Sequence, residues 1–271
     1  MSSRLGSPRR ISCAAALLAI TLVIAAPAHG QGSEDDQLEP INRAIFAVNT
    51  TLDGLILEPA AILYRMATPE VFRKGARNFL NNLRTPVVLA NDLMQVEWAR
   101  AEVTFGRFML NTILGLGGVI DVATWAGMPP RHHEDFGQTL AVYGVPPGPY
   151  LMLPLLGPSN PRDALGVLVD LVIDPLSFPG LDVVPPEVTW GRWGADVVSF
   201  REENIENIDE LRRTSIDFYA ATRTVTRQLR AAEIRNGAPA PIEDIYDEDL
   251  YELDDLEDPA SDTLEDPAVD E

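Results

Sequence analysis

The residues from Phe136 to Pro158 (FGQTLAVYGVPPGPYLMLPLLGP) constrain the fold more than any other stretch of the chain. The part that begins at Tyr143 is almost wholly apolar, but prolines and glycines interrupt it repeatedly. It cannot form a continuous helix, because proline lacks a backbone N–H and its ring collides with the preceding turn. It is a poor central strand for the same reason. Since soluble proteins rarely leave such an apolar patch in water, the sequence predicts a stiff loop that the protein's own core, a partner or lipid must cover.

Helical patterns lie on both sides of this loop. A first helix is predicted to start near Pro40, because proline suits the first helical position, and to be broken at Glu58-Pro59. Asn42, Asn49 and Asp53 lie off the apolar face of this helix. The apolar residues recur at spacings of four and three, which places them on one helical face: Ile41, Ile45, Val48, Leu52 and Leu55.

Further helices are predicted from their start signals. Thr68-Pro69-Glu70, Thr85-Pro86 and Ser159–Asp163 each precede an apolar helical pattern. The longest helical pattern runs from Trp190 to Asn236, and Asn204–Asp209 is a candidate break in it. No stretch alternates with period two for long, so the sequence predicts an all-α domain of short helices with a long C-terminal helical segment. Helices that are apolar on more than one face suit burial on both sides, in protein or partly in lipid.

Residues 1–30 have the features of a secretory signal peptide. Arginines are followed by a 13-residue apolar run, Ala14–Ala26, and then by small residues that favour cleavage after Gly30. A run of this length is too short to cross a bilayer of about 30 Å comfortably. A retained N-terminal membrane anchor is the alternative reading. The lone cysteine, Cys13, lies inside this leader, so no disulfide is expected after cleavage.

The remaining chain divides by composition into three parts. Residues 31–38 form a polar, acidic linker, and residues 39–237 hold the helical patterns. Residues 238–271 are expected to be a disordered acidic tail, because Pro241–Glu271 contains 15 acidic residues and no basic one. Much of the net charge of −20 therefore sits in this tail. The chain has no clustered basic surface of the kind that binds nucleic acid, and we expect no nucleic-acid partner.

No pattern in the sequence supports catalysis, a metal or a cofactor. His132–Asp135 is the one cluster of metal-ligand types, but adjacent histidines point apart, and we expect a solvated loop there, with Asp135 capping the following turn. A Ser-His-acid triad and a phosphate-binding glycine loop both lack their motifs, so an exported hydrolase using His132 or His133 has little support. The acidic pairs Glu202-Glu203 and Asp254-Asp255 are interpreted as solvated charges. We therefore predict a protein that is not an enzyme.

Asparagines within or beside the apolar helices allow two interpretations. They supply caps and hydrogen bonds between helices, or they form the polar lining of a channel. The sequence leaves both open for this set: Asn78, Asn81, Asn82, Asn91 and Asn111.

Five segments, taken in order, make the chain resemble the VacJ/MlaA family of Gram-negative outer-membrane proteins. The resemblance covers about Leu38 to Asn236. The segments are LEPINRAIFAVN (Leu38–Asn49), NFLNNLRTPVVLANDLMQ (Asn78–Gln95), RFMLNTILGLGGVIDVA (Arg107–Ala123), FGQTLAVYGVPPGPYLMLPLLGPS (Phe136–Ser159) and RDALG (Arg162–Gly166).

The resemblance implies a ring-like helical body in the inner leaflet of the outer membrane. An amphipathic channel through the ring would let phospholipids misplaced in the outer leaflet move inward, to be handed to a soluble periplasmic lipid carrier. It also implies association with a trimeric porin, and a scaffold that docks on the porin without moving lipid is the rival function. Asp170 would belong to the polar channel wall. The hairpin loop at the channel would be Tyr143, Gly144, Val145, Pro146, Pro147, Gly148, Pro149, Tyr150, Leu151, Met152, Leu153, Pro154, Leu155 and Leu156.

The N-terminus departs from the family pattern. Family members are commonly anchored through an acylated cysteine directly after the leader. Here Cys13 precedes the apolar run, Arg10-Ile11-Ser12 is not a lipobox, and no cysteine follows. We therefore expect a version without lipidation, held at the membrane by its apolar helices or by a partner.

Overall fold

The computed structural model describes residues 36, 38–177, 184–236 and 238. The predicted signal peptide, most of the predicted linker and nearly all of the predicted acidic tail lie outside these residues. Within the described part the chain is helical apart from one short pair of strands, so the all-α prediction is confirmed.

The elements are given in chain order. They are α1 (Glu39–Leu52), a π-helical turn (Asp53–Leu57), α2 (Glu58–Ala67), α3 (Glu70–Met94), α4 (Trp98–Ile113), α5 (Val122–Trp125), α6 (Phe136–Val142), β1 (Leu151–Leu153), β2 (Gly157–Ser159), α7 (Pro161–Ile173), α8 (Pro186–Glu203), α9 (Ile205–Thr214) and α10 (Phe218–Ile234).

The first helix does not end at Glu58-Pro59 as predicted. The π-helical turn joins α1 to α2 without a break, and Pro59 stands in the first turn of α2, where its missing N–H falls at the junction. The combined helix, Glu39–Ala67, is long and apolar enough to cross a membrane, with a mean hydropathy of 1.3 over its most apolar window. Only 6% of that window is buried in the protein.

The predicted helix start at Thr85-Pro86 is also wrong, because Pro86 lies inside the 25-residue helix α3. An internal proline costs a helical hydrogen bond. Helix α3 is held on several sides, since it contacts α4, α6, α7 and α8. Tertiary packing therefore overrides the local signal for a helix start.

The long C-terminal helical pattern is three helices rather than one. The break at Asn204 agrees with the candidate break, whereas a second break at Ser215–Asp217 was not predicted. At this second break Asp217 accepts hydrogen bonds from the backbone N–H groups of Tyr219 and Ala220 and so caps α10. Asp217 also binds Arg43 on α1, a contact 174 residues away that local sequence could not reveal.

The apolar loop is more regular than predicted. Its first residues form α6, and Asp135 caps that helix as expected by accepting from the N–H of Gln138. Leu151–Leu153 and Gly157–Ser159 then pair as antiparallel strands, so the predicted stiff loop contains a β-hairpin. Pro158 lies opposite Met152, and the N–H of Met152 donates to Asn42 instead of to strand β2. The two residues therefore form a non-hydrogen-bonded pair, which needs no N–H from Pro158.

The helices and the hairpin contact one another in a cyclic order. Helix α1 contacts β1, β2 contacts α10, and α10 contacts α6. Helix α6 contacts α3, α3 contacts α8, and α8 contacts α2, which continues α1. The contacts therefore close on themselves, in agreement with the ring-like bundle that the resemblance implies.

The polarity of this ring is the reverse of that in a soluble protein. In the described part, the largest fully buried side chains are all polar: Gln138, Asn42, Asn91 and Asp92. Large apolar side chains lie outside instead, and Leu55, Met66 and Phe72 are each at least 70% exposed. An apolar exterior around a polar interior is suited to a lipid surrounding rather than to water.

Candidate functional site

The side chain of Asn42 fixes one end of strand β1. Its Nδ2 donates to the carbonyl oxygen of Tyr150 at 3.0 Å, and its Oδ1 accepts from the backbone N–H of Met152 at 2.8 Å. The same Nδ2 also donates to Asp36 Oδ1 at 2.8 Å. Asn42 is buried, so these bonds satisfy an amide that would otherwise be costly to bury.

Asn49 holds the other end of the strand in the same way. Its Nδ2 donates to the carbonyl oxygen of Leu153 at 2.9 Å, and its Oδ1 accepts from the N–H of Leu155 at 2.9 Å. Seven residues of helix rise about 10.5 Å, and three residues of strand extend about 10 Å. The two asparagines therefore match the strand's repeat and replace a neighbouring strand at its free edge.

The middle of the predicted hairpin loop is part of the core. Tyr150 and Met152 pack against Tyr219 of α10, with Phe46 of α1 beside them. The rings of Tyr150 and Tyr219 meet edge to face, with centroids 6.2 Å apart. Burial raises the pKa of Tyr150 to about 12. This cluster ties the hairpin to both α1 and α10.

The remaining loop residues lie at the surface. Residues 143–148 and 154–156 are exposed, and they include the apolar side chains of Tyr143, Leu155 and Leu156. The Tyr143 hydroxyl donates to the backbone carbonyl of Met94 at 2.6 Å and holds the first exposed part against α3. The predicted loop thus divides into a buried strand and two exposed apolar parts.

The Asp170 carboxylate accepts hydrogen bonds from residues outside the predicted hairpin loop, Tyr143–Leu156. It accepts from Asn91 Nδ2 at 3.0 Å and from the backbone N–H of Phe136 at 3.1 Å. These contacts join α7 to α3 and α6. Burial raises the pKa of Asp170, although the two donors act in the opposite direction. Asp170 is also not among the residues that line the polar cleft described below.

The charged connector before α6 is only partly the solvated loop that was expected, because Arg131 and His133 are exposed whereas His132, Glu134 and Asp135 are buried or partly buried. Glu134 is 3% exposed and accepts from Gln95 Nε2 at 2.8 Å and Arg100 Nη2 at 2.6 Å. Burial raises the pKa of Glu134. His132 Nε2 lies 2.9 Å from Asp92 Oδ1. The connector therefore braces α3 against α4 and α6.

Three of these side chains could converge on a cation. Ligand atoms of Asp92, His132 and Glu134 all lie within 4.8 Å of one another. All three already have protein partners, since Asp92 also accepts from Thr104 Oγ1 at 2.6 Å. The donor set can hold a divalent ion, but its hydrogen bonds are equally satisfied by protein, and the expectation of a metal-free protein stays a prediction.

Asp135 and Arg230 form a second, partly buried brace. Arg230 Nη1 and Nη2 bind the two carboxylate oxygens of Asp135 at 2.6 and 2.8 Å, and its Nε binds Asp163 Oδ2 at 2.9 Å. Burial alone would raise the pKa of Asp135, but the hydrogen bonds and charge of Arg230 lower it to about 2. This network fixes α10 to α6 and α7.

A polar cleft with a cavity volume of about 50 Å³ lies between α3, α4 and the connector. It brings together four of the five asparagines singled out in the sequence. It is lined by Asn78, Asn81, Asn82, Thr85, Val88, Thr104, Arg107, Phe108, Asn111, Asp121, Arg131 and His132.

The asparagines of this cleft make hydrogen bonds between parts of the fold, as the first interpretation expects, while the lining of a channel stays a prediction. Asn82 Nδ2 donates to Thr112 Oγ1 at 2.9 Å, and Asn111 Nδ2 donates to Asp121 Oδ1 at 3.1 Å, so both bond to residues in other parts of the fold. Their amides also line the cleft. Arg107 binds Asp121 through Nη2 at 2.9 Å, which neutralises both charges within the wall.

A glycine shapes this wall. Gly118 has a φ of +101°, and a Cβ built there would lie 2.3 Å from Asn82 Cβ. Only glycine allows the backbone to approach Asn82 so closely.

An apolar groove of about 360 Å³ lies on another face of α3, against α8. Phe79, Leu80 and Leu83 of α3 contribute to it, together with Val188 of α8. Helix α3 thus has amide side chains toward the cleft and apolar side chains toward the groove. The sequence shows this amphipathic pattern but not the partners of either face.

Comparison with known proteins identifies close relatives of the chain. A family model described as MlaA lipoprotein matches residues 34–233. The intermembrane phospholipid transport system lipoprotein MlaA of Escherichia coli (strain K12) is 35% identical over 223 residues, which cover 79% of this chain and 85% of that protein. Its namesake in Haemophilus influenzae is 33% identical over 224 residues, covering 81% and 88%.

A solved structure is similar in fold as well as in sequence. It is described as "Structural basis for maintenance of bacterial outer membrane lipid asymmetry", with a TM-score of 0.65 and 33% sequence identity. The match covers 74% of this chain and 100% of that one.

Proposed function

Because the chain belongs to the MlaA lipoprotein family, we propose that it moves misplaced phospholipids out of the outer leaflet of the outer membrane and toward the periplasm. Its relatives carry the name of an intermembrane phospholipid transport system. The observation that carries the proposal is the reversed polarity of the ring, in which polar side chains are buried and apolar side chains face outward.

This polarity lowers the main free-energy barrier to lipid movement. A charged head group cannot cross hydrocarbon cheaply, because it loses its hydration without replacement. The polar cleft offers amides, hydroxyls and arginines as substitute partners. The apolar outer face and the groove beside α3 allow acyl chains to stay in apolar surroundings. No bond is made or broken, so the function requires no catalytic residue.

We assign the hairpin loop, Tyr143–Leu156, to the edge of this path. Asn42 and Asn49 hold its strand, while the exposed Leu155 and Leu156 offer an apolar surface to lipid. Irregular backbone is tolerated at membrane depth where it lines a cavity.

The protein is placed in the outer membrane by the same proposal. Leu55, Leu63 and Met66 on the helix Glu39–Ala67 are exposed and supply an apolar attachment surface. Attachment by this surface suits the version without lipidation that the sequence predicts. The partners are a trimeric porin in the membrane and a soluble periplasmic carrier that receives the lipid. The rival function, a scaffold that only docks on the porin, would use the same exposed loop.

One loop variant separates transport from docking. Replacing Pro146-Pro147-Gly148 by Gly-Ser-Gly removes the stiffness of an exposed turn. Outer-leaflet phospholipid and porin co-purification are then measured in cells that carry the variant. Under the proposal, phospholipid accumulates in the outer leaflet. Loss of porin binding with normal outer-leaflet lipid would contradict transport and favour the scaffold.

A further inference from the structure

The charges in the polar cleft are not balanced. Arg107 is paired with Asp121, and His132 with Asp92. Arg84, at the edge of the cleft, is paired with Asp196 at 3.0 Å. Among the residues that the structure describes, Arg131 alone of the cleft's arginines has no carboxylate within ion-pair distance.

Arg131 differs from its neighbours in having no paired carboxylate. Desolvation is the main cause that lowers the pKa of the Arg131 guanidinium; Arg84 and Arg107 act in the same direction, and Glu203 and Asp121 oppose them. A guanidinium without a paired carboxylate has all its donors available to an added anion. The Arg131 side chain remains exposed to solvent, so an anion can reach it.

Asn81 supplies a second donor in the same cleft. Its backbone carbonyl accepts from Thr85 Oγ1, but its carboxamide has no hydrogen-bond partner in the described part of the chain. The neighbouring amides differ, because Asn78 and Asn82 donate to backbone carbonyls across the cleft. Asn81 therefore has N–H groups left for a ligand.

We propose, as an extension of the proposed transport function, that Arg131 and Asn81 bind the phosphate group of a phospholipid as it passes through the cleft. A guanidinium and an amide are suited to phosphate, since charge-assisted hydrogen bonds to phosphate oxygens are strong. Val88 and Phe108 line the same cleft and can contact the glycerol and the upper acyl chain. This apolar wall favours a lipid phosphate over a free phosphate ion.

The test is a binding titration on the purified full chain in nonionic detergent. Three probes are compared by calorimetry: dihexanoyl phosphatidylglycerol, dihexanoylglycerol, which lacks the phosphate, and inorganic phosphate. The variants are Arg131→Gln, Arg131→Lys and Asn81→Asp. Arg213→Gln is the matched control, because Arg213 is an exposed arginine on α9.

We expect Arg131→Gln to weaken phosphatidylglycerol binding about tenfold, the loss typical of one charge-assisted hydrogen bond. Arg131→Lys should lose less, because it keeps the charge. Asn81→Asp should also weaken binding, because it adds a negative charge beside the phosphate. Dihexanoylglycerol should bind the wild type and Arg131→Gln equally, and Arg213→Gln should match the wild type.

Two results overturn the site. One is wild-type affinity for phosphatidylglycerol in Arg131→Gln. The other is binding of inorganic phosphate as tight as that of the lipid, which would assign the cleft to a free anion. If the wild type binds phosphatidylglycerol and the substitutions have no effect, only this site fails. If the wild type binds no lipid, transport itself fails with it.

Discussion

Asn42 and Asn49 are two helical turns apart on α1, and each accepts from one backbone N–H and donates to one carbonyl of the β1 hairpin. The hairpin is therefore held by side chains of a helix where a sheet would use another strand. Its position relative to the apolar helix Glu39–Ala67 is fixed by these bonds rather than by apolar packing alone.

Asn42→Ala should lower the free energy of unfolding by about 2–4 kcal/mol, because buried backbone groups of Tyr150 and Met152 lose their partners. Chemical denaturation in detergent measures the change. Thr51→Ala on the same helix is the control, since the Thr51 hydroxyl is exposed and bonds only its own helix. Equal stability of the two variants would show that the hairpin does not depend on Asn42.

Gly118→Ala should close the polar cleft. The added methyl would lie 2.3 Å from Asn82 Cβ, so Asn82 must move and lose its bond to Thr112. Gly117→Ala is a matched control, because Gly117 also has a positive φ of +72° but has open space around its Cβ position. The control should cost about 1 kcal/mol of backbone strain.

Outer-leaflet phospholipid and thermal unfolding are measured for both glycine variants. We expect lipid to accumulate with Gly118→Ala and not with Gly117→Ala. Equal outer-leaflet phospholipid in the two variants would show that transport does not depend on the cleft.

Glu202→Gln should destabilise the fold by about 3–5 kcal/mol, since removing one partner leaves buried charges uncompensated. The Glu202 carboxylate lies 2.9 Å from Arg65 Nε, 3.3 Å from Arg73 Nε and 3.0 Å from Arg77 Nη1. Its neighbour Glu203, 60% exposed, is the control, and Glu203→Gln should stay within about 0.5 kcal/mol of the wild type. Denaturant unfolding of both variants decides between a structural and a solvated role for Glu202.

Asp135 should make stability depend on pH. Its pKa is about 2 in the fold and 3.8 in the unfolded reference. A depressed pKa adds stability above the unfolded value, and this stability is lost as pH falls toward the folded value. Asp135→Asn should therefore cost about 2 kcal/mol at pH 5.5.

The difference between wild type and Asp135→Asn should narrow by pH 2.5, as measured by unfolding at both pH values. Asp209→Asn, at a half-exposed position, should show a much smaller difference at pH 5.5. A constant penalty for Asp135→Asn across the two pH values would exclude the carboxylate's charge as the source.

Local signals in the sequence predicted the fold class well. Pro40 and the Asn160 cap open helices where predicted. The errors arise where distant contacts decide the outcome. Helix α3 continues through Pro86 because four other helices hold it, and α10 begins at Asp217 partly because Arg43 binds that carboxylate.

The site was predictable only in outline. The sequence predicts that the apolar loop needs a cover. It also shows Asn42 and Asn49 as polar residues off the apolar face of their helix. Their partners lie more than 100 residues away, so no local pattern could connect them. The sequence favours a solvated Glu202, since the three arginines around it come from α2 and α3 and no local pattern shows them. No sequence motif singles out Arg131, and its proposed role is inferred only from its position in the cleft.

The cyclic order of contacts also affects the order in which the chain can fold. Arg43 of helix α1 binds Asp217, which caps α10. This contact of the first described helix can therefore form only after the last described helix has been made. Contacts this distant in sequence form slowly, because a long loop must be closed first. The apolar faces of α1 and α2 stay exposed even in the closed ring. We therefore expect that assembly depends on a chaperone or on prior contact with the membrane surface, and that the ring closes last.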